Sequence, residues 1–167
     1  MQYMKLTPVE RRKALATLSS MKDFLDASFA SLTPDEALAP GPDGAFSPVE
    51  QVWHLADLER EGFGERIRRL QAEDEPRLPD FDGGRIAAER NYRSLSFEEG
   101  LRAFEAARLA NIALFLTLTP EAWARGGTQV GVGVVSLCDM PELMRQHDEA
   151  HRAEIREWQR HRGHPAS

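Results

Sequence analysis

The reading of this chain turns on Met140-Pro141-Glu142-Leu143-Met144-Arg145-Gln146-His147-Asp148-Glu149-Ala150-His151-Arg152-Ala153-Glu154-Ile155-Arg156-Glu157-Trp158. Met140, Leu143, Met144, His147, His151, Ile155 and Trp158 recur at three- and four-residue spacing, so one face of a helix carries them all. That face is apolar except for two imidazoles. His147 and His151 are four residues apart, which places their side chains about 5–6 Å from each other on one helix surface. Each ring can then offer a nitrogen to a single metal ion at ~2 Å without any movement of the backbone. An unpartnered imidazole buried in a core seam costs on the order of 1–3 kcal/mol, so a pair of them there calls for something that offsets it.

Working outward, four segments carry a helix-start signature, a Ser, Thr or Asp cap with Glu three residues later: Thr7/Glu10, Ser47/Glu50, Ser96/Glu99 and Asp139/Glu142. Pro8 and Pro48 follow their caps directly, where a missing N–H is harmless. The first segment repeats Leu15, Leu18, Leu25, Phe29 and Leu32 at helical spacing and predicts a helix of about seven turns that ends before Pro34. The second helix is expected from Pro48 to near Glu73. Its stripe of Val49, Val52, Trp53, Ala56, Phe63, Ile67 and Leu70 leaves Leu55 and Leu58 out of phase, which predicts burial on two sides of its first half. Those two leucines suit either a dimer interface or the filling of a thick bundle.

A third long helix is expected from Phe97 to near Leu118, preceded by a short one over Arg85–Tyr92. Glycines 126, 127, 131 and 133 break helical structure, so this run reads as a flexible extended connection. The last helix runs from near Met140 to near Arg162, with Gly163 and Pro165 as its stop. Four long helices with one irregular connection predict an all-α four-helix bundle in a single domain over residues 1–167.

Composition fits that reading and narrows the function. Of 167 residues, 41% are hydrophobic and 29% charged, enough apolar material for one core. A net charge of −6 and a pI near 5.4 argue against nucleic acid as a partner. No stretch reaches the roughly 20 apolar residues of a membrane span, and Met1–Lys5 lacks the apolar run of a secretory signal, so a cytoplasmic location is expected. The lone Cys138 cannot form an internal disulfide and cannot supply a cysteine-rich metal cage.

His54 is the candidate third metal ligand, although it lies about 140° from the stripe of its own helix. Asp57 and Asp148 are candidates for orienting an imidazole or moving a proton, and Arg90, Tyr92 and Trp123 are candidates for a substrate pocket. His161 and His164, in a polar stretch, read as solvent-exposed. The chain has no G-x-S-x-G elbow, H-E-x-x-H pair or Walker loop.

Three motifs in order carry a resemblance to a known family. Phe46-Ser47-Pro48-Val49-Glu50-Gln51-Val52-Trp53-His54-Leu55 resembles the helix-2 motif of the DinB/YfiT-like superfamily. Leu118-Thr119-Pro120-Glu121-Ala122-Trp123 resembles its turn before the connecting loop, and Glu142 to Ile155 its closing histidine helix. Phe46 replaces the motif's tryptophan, Glu154 its usual glutamine, and Pro141 falls in the first turn of the closing helix. The resemblance implies an up-down-down-up four-helix bundle, a homodimer, and a divalent metal on His54, His147 and His151. Zn is the first choice, with Ni, Mn or Fe as alternatives.

Family members with assigned roles use a low-molecular-weight thiol as cosubstrate, which implies a metal-dependent S-transferase acting on electrophilic small molecules. Hydrolysis of a small-molecule substrate and a noncatalytic, stress-associated metal-binding role are the alternatives. A metal-free core with hydrogen-bonded histidines is a further one.

Overall fold

The computed structural model describes residues 6–164; Met1–Lys5 and Pro165, used in the readings above, lie outside them. Helices α1 (Pro8–Leu18) and α2 (Ser20–Ser28) form the first arm. The single helix expected there is interrupted at Ser19. Ser19 and Ser20 hydroxyls donate to the carbonyls of Ala16 and Thr17, and Arg108 takes the carbonyl of Leu18 at 2.9 Å, so the helical ladder is disturbed from both sides. A one-turn helix α3 (Pro34–Ala37) follows, with the Thr33/Glu36 capping box that the sequence reading passed over.

The second arm is continuous from α4 (Pro48–Asp57) through a π-helical turn (Leu58–Phe63) into α5 (Gly64–Ala72). Leu58 opens the wide turn, and Leu55, ahead of it in α4, is out of phase because α4 is covered on two sides. Leu55 packs with Ile155 and Trp158, whereas Leu58 packs with Met140 and Met144, and both are buried within one chain. This strip is therefore interior and is not an exposed dimer face. After α6 (Gly83–Arg90), the third arm is α7 (Phe97–Leu116) and the fourth is α8 (Met140–His161). α4 packs along α7, and α1 and α2 pack along α8. The result is a four-helix bundle. On α7, Leu109 and Leu116 are exposed, and Arg108 and Asn111 are buried.

The glycine-rich connection is ordered, which corrects its reading as a flexible loop. It forms a hairpin, β2 (Gly126–Gln129) and β3 (Gly133–Ser136), and β1 (Arg77–Leu78) adds to β2 in parallel. Its glycines serve the sheet. A Cβ at Gly127 would collide with the carbonyl of Pro76, and Gly131 and Gly133 adopt φ of 77° and 107° at the turn. β-Branched Val134 and Val135 suit the second strand. The hairpin delivers Gln129 and Val132 to the side of α8 that bears His147.

Two of the expected caps are built differently. Ser47 donates to Glu50 instead of capping α4, and Asp139 turns back to the amide and hydroxyl of Ser136. None of the described helices is long and apolar enough to cross a membrane.

Candidate metal centre

The bundle brings His54 from α4 to His147 and His151 from α8, and one ligand-capable atom of each lies within 4.8 Å of the others. Nε2 of His147 and Nε2 of His151 are 3.1 Å apart. His54 and His151 are buried, and His147 is half-buried. The awkward phase of His54 resolves because its side of α4 is also covered. Its ring lies against Phe46 at 5.4 Å and Phe81 at 6.1 Å between centroids. The start of α6 closes over it. A Cβ on Gly83 would come within 2.7 Å of His54 Nδ1, so only glycine leaves the ring in place.

A chain of hydrogen bonds sets the His151 tautomer. Gln51 Nε2 donates to Glu154 Oε2 at 2.8 Å, which leaves Gln51 Oε1 as an acceptor, and His151 Nδ1 donates to it at 2.7 Å. Glu154 Oε2 is also 3.2 Å from the same nitrogen. With Nδ1 carrying the proton, Nε2 presents a lone pair to the cluster. The hydrogen bond with His151 holds the Glu154 carboxyl well below its ordinary value, at about 2. Burial, with His151 alongside, pushes His54 down to about 4, and burial beside both other histidines drives His147 down as well. These two imidazoles are neutral at physiological pH, the form that binds a metal.

Nδ1 of His54 is buried without a hydrogen-bond partner among the described residues. Three donors at about 2 Å from one ion would lie roughly 3.3 Å from each other. The 3.1 Å separation of the two Nε2 atoms is already near that value. The donor set therefore fits a small divalent ion that accepts imidazole.

The acids proposed from sequence to serve the histidines do neither task in this structure. Asp57 accepts from Tyr92 Oη at 2.6 Å, Arg60 at 2.5 Å and Arg90 at 2.6 Å. Burial opposes its ionisation, but these three donors outweigh burial and hold the carboxyl below its ordinary range. Arg90 also grips Glu61, so Arg90 and Tyr92 are spent on tying α6 and its following turn to α4. Asp148 accepts two hydrogen bonds from buried Arg108, which also pairs with Glu59, while Asn111 donates to the Glu59 carbonyl exposed by the π turn. Trp123 stacks on Phe115 in the core.

The pocket beside the triad, about 300 Å³, is lined instead by His54 and His147 with Phe63, Phe81, Arg66 and Gln129. Arg66 and Gln129 escaped the sequence reading. Cys138 is buried against Leu6, away from this pocket. His161 is exposed as expected, but His164 stacks on Trp158 at 5.5 Å and bonds Glu36 at 2.8 Å, which corrects its reading as a solvent-exposed residue.

Comparison with known proteins bears on this arrangement. The sequence pattern of the DinB superfamily matches residues 12–155, which include all three histidines. The chain belongs to the DinB superfamily. Among curated relatives it is similar to the Geobacillus thermodenitrificans protein named "Putative metal-dependent hydrolase", with 25% identity over 89% of this chain and 84% of that protein. The fold is shared with YfiT from Bacillus subtilis, described as "a probable metal-dependent hydrolase with an unusual four-helix bundle topology" (TM-score 0.88, 20% identity, 99% of this chain and 94% of that one). It is shared more distantly with the mycothiol-dependent maleylpyruvate isomerase (TM-score 0.70, 9% identity, 86% of this chain and 60% of that one).

Proposed function

We propose that His54, His147 and His151 hold one divalent metal ion, Zn before Ni, Mn or Fe, and that this DinB protein is a metal-dependent enzyme transferring a low-molecular-weight thiol to an electrophilic small molecule. The observation that carries the reading is the convergence of three buried or half-buried imidazoles, one with its tautomer set by Gln51 and one with an unpartnered nitrogen. When bound there, a divalent ion supplies Lewis acidity at an open coordination position and lowers the pKa of a thiol or of water.

The chain's own part favours thiol transfer. Asp57 and Asp148 are consumed by ion pairs elsewhere, and among the described pocket residues the one carboxylate is Asp80, exposed at the rim. Hydrolysis ordinarily needs a group that manages the protons of water and leaving group, whereas an ionised thiol attacking a soft electrophile needs chiefly positioning. Leu58, Phe63, Phe81, Val132 and Leu143 give an apolar wall suited to holding such an electrophile.

Hydrolysis is the second reading, favoured by the names of the Geobacillus relative and of YfiT. Metal-loaded protein is assayed for electrophile-dependent consumption of bacillithiol, mycothiol and glutathione, alongside hydrolysis of activated esters and amides. Thiol consumption that disappears in His147→Ala is expected. Ester or amide turnover without thiol consumption would replace the proposal by the hydrolase. No turnover of any kind, together with a large drop in Tm on chelation, would leave the metal a structural staple.

A further inference from the structure

The metal reading leaves one wall of the pocket without a role. Arg66 on α5 is only 6% exposed. Among the described residues its guanidinium has no ion pair within 4 Å and no hydrogen bond; it lies over the Phe63 ring, 5.4 Å from Cζ, and the Asp80 carboxylate attracts it only from a longer distance. Arg108 shows how this chain treats a buried cation that serves the fold, with two carboxylates and a backbone carbonyl around it. Burying a guanidinium with no such partners is unfavourable, so its retention needs another reason. Gln129, on β2 and 8% exposed, lines the same pocket with a buried Oε1 that likewise has no partner. A guanidinium without a protein hydrogen bond and a buried, unpartnered amide oxygen thus share an otherwise largely apolar 300 Å³ pocket with His54 and His147.

We propose that Arg66 and Gln129 form a recognition subsite for a small-molecule carboxylate that bears a hydrogen-bond donor next to the acid, as an N-acyl amino acid does, with its reacting end directed to the three histidines. The role of the histidines rests on the metal reading above, but the chemistry of the subsite does not. A guanidinium offers two parallel N–H donors in a fork that matches a carboxylate, and Gln129 Oε1 accepts the adjacent N–H. One cation among apolar walls suits a singly charged planar acid. A phosphate dianion would call for more donors than the pocket has. Asp80, exposed at the rim, attracts Arg66 but makes no ion pair or hydrogen bond with it, so the fork stays free for a ligand.

Full-length protein, both metal-loaded and chelator-treated, is titrated with acetate, N-acetylglycine, N-acetylphenylalanine and the methyl esters of the two N-acetyl acids, with binding followed by calorimetry or ligand-observed NMR. Wild type is expected to bind the acids in both forms, with the esters at least about tenfold weaker. Arg66→Met should weaken acid binding by about tenfold or more in both forms while leaving Tm unchanged or raised, because it removes an unpaired buried charge. Arg66→Lys should recover part of the binding, and Gln129→Met should narrow the gap between N-acetylglycine and acetate.

Wild-type affinity in Arg66→Met, equal binding of acid and ester, or no saturable acid binding to wild type overturns the subsite. Acid binding that needs the metal and ignores Arg66 would sink the subsite and leave the metal reading standing. Arg66-dependent binding by protein that takes up no metal would do the reverse.

Discussion

Gly83→Ala isolates the geometry of the triad with one added methyl group. By helix propensity the change at the first position of α6 should be neutral or stabilising, by up to about 1 kcal/mol. Packing opposes it. The new Cβ would stand 2.7 Å from His54 Nδ1, where ordinary contact begins near 3.4 Å, so the ring must withdraw by at least roughly 0.7 Å. Metal–nitrogen distances tolerate only about 0.2 Å, and Phe46 and Phe81 restrict where the ring can go. The variant should therefore remain folded and lose about 10- to 100-fold in metal affinity, the range expected when the support of a ligand is disturbed. Competition against a chromophoric chelator reads the affinity, and circular dichroism reads the fold. Wild-type affinity in a folded Gly83→Ala protein would refute the idea that the start of α6 positions His54.

Other consequences follow from the buried charges. Arg108→Met strands Glu59 and Asp148 in the interior and should cost about 3–5 kcal/mol in urea unfolding, a fall in Tm of roughly 6–20 °C. Adding Glu59→Gln and Asp148→Asn should restore much of that loss, and a loss below about 1 kcal/mol for Arg108→Met would contradict the network. Metal-free protein should lose stability in acid. The folded value of His54, about 4, lies below its ordinary 6.5, so the unfolded chain binds protons first as pH falls. The His54 contribution, on the order of 3 kcal/mol, is present above pH 6.5 and is lost as pH drops through 4; a flat profile across that window in denaturant titrations would oppose it. Gln51→Leu removes the acceptor that fixes the His151 tautomer and should weaken metal binding about tenfold without a comparable change in Tm.

Much of this architecture was legible because helices advertise themselves through period and caps. The seam from Met140 to Trp158 placed His147 and His151 correctly, and Thr7/Glu10 and Ser96/Glu99 marked true helix starts. The hairpin over 126–136 was not legible, since its strands are short and one of its glycines, Gly127, answers to Pro76, distant in sequence. The phase of His54 and Leu55 misled a one-stripe reading because α4 is covered on more than one side, and Leu58 opens a π turn. Glu154 lies three residues from His151, a spacing that could have flagged it as a supporting group, whereas Gln51 reaches His151 from 100 residues away and no local spacing marks it. Arg66 carried no local signal. It sits among Glu65, Arg68 and Arg69, which look alike in sequence, and only its place beside Phe63 and the folded hairpin separates it from its solvated neighbours.

The central claim is that the three histidines together hold a metal. Elemental analysis of full-length protein, after supplementation with Zn, Ni and Mn and extensive dialysis, tests it directly. About one equivalent of a divalent ion per chain is predicted, lost in each of His54→Ala, His147→Ala and His151→Ala while the bundle stays folded. Well under one equivalent in the wild type, or undiminished metal in the three variants, would contradict it.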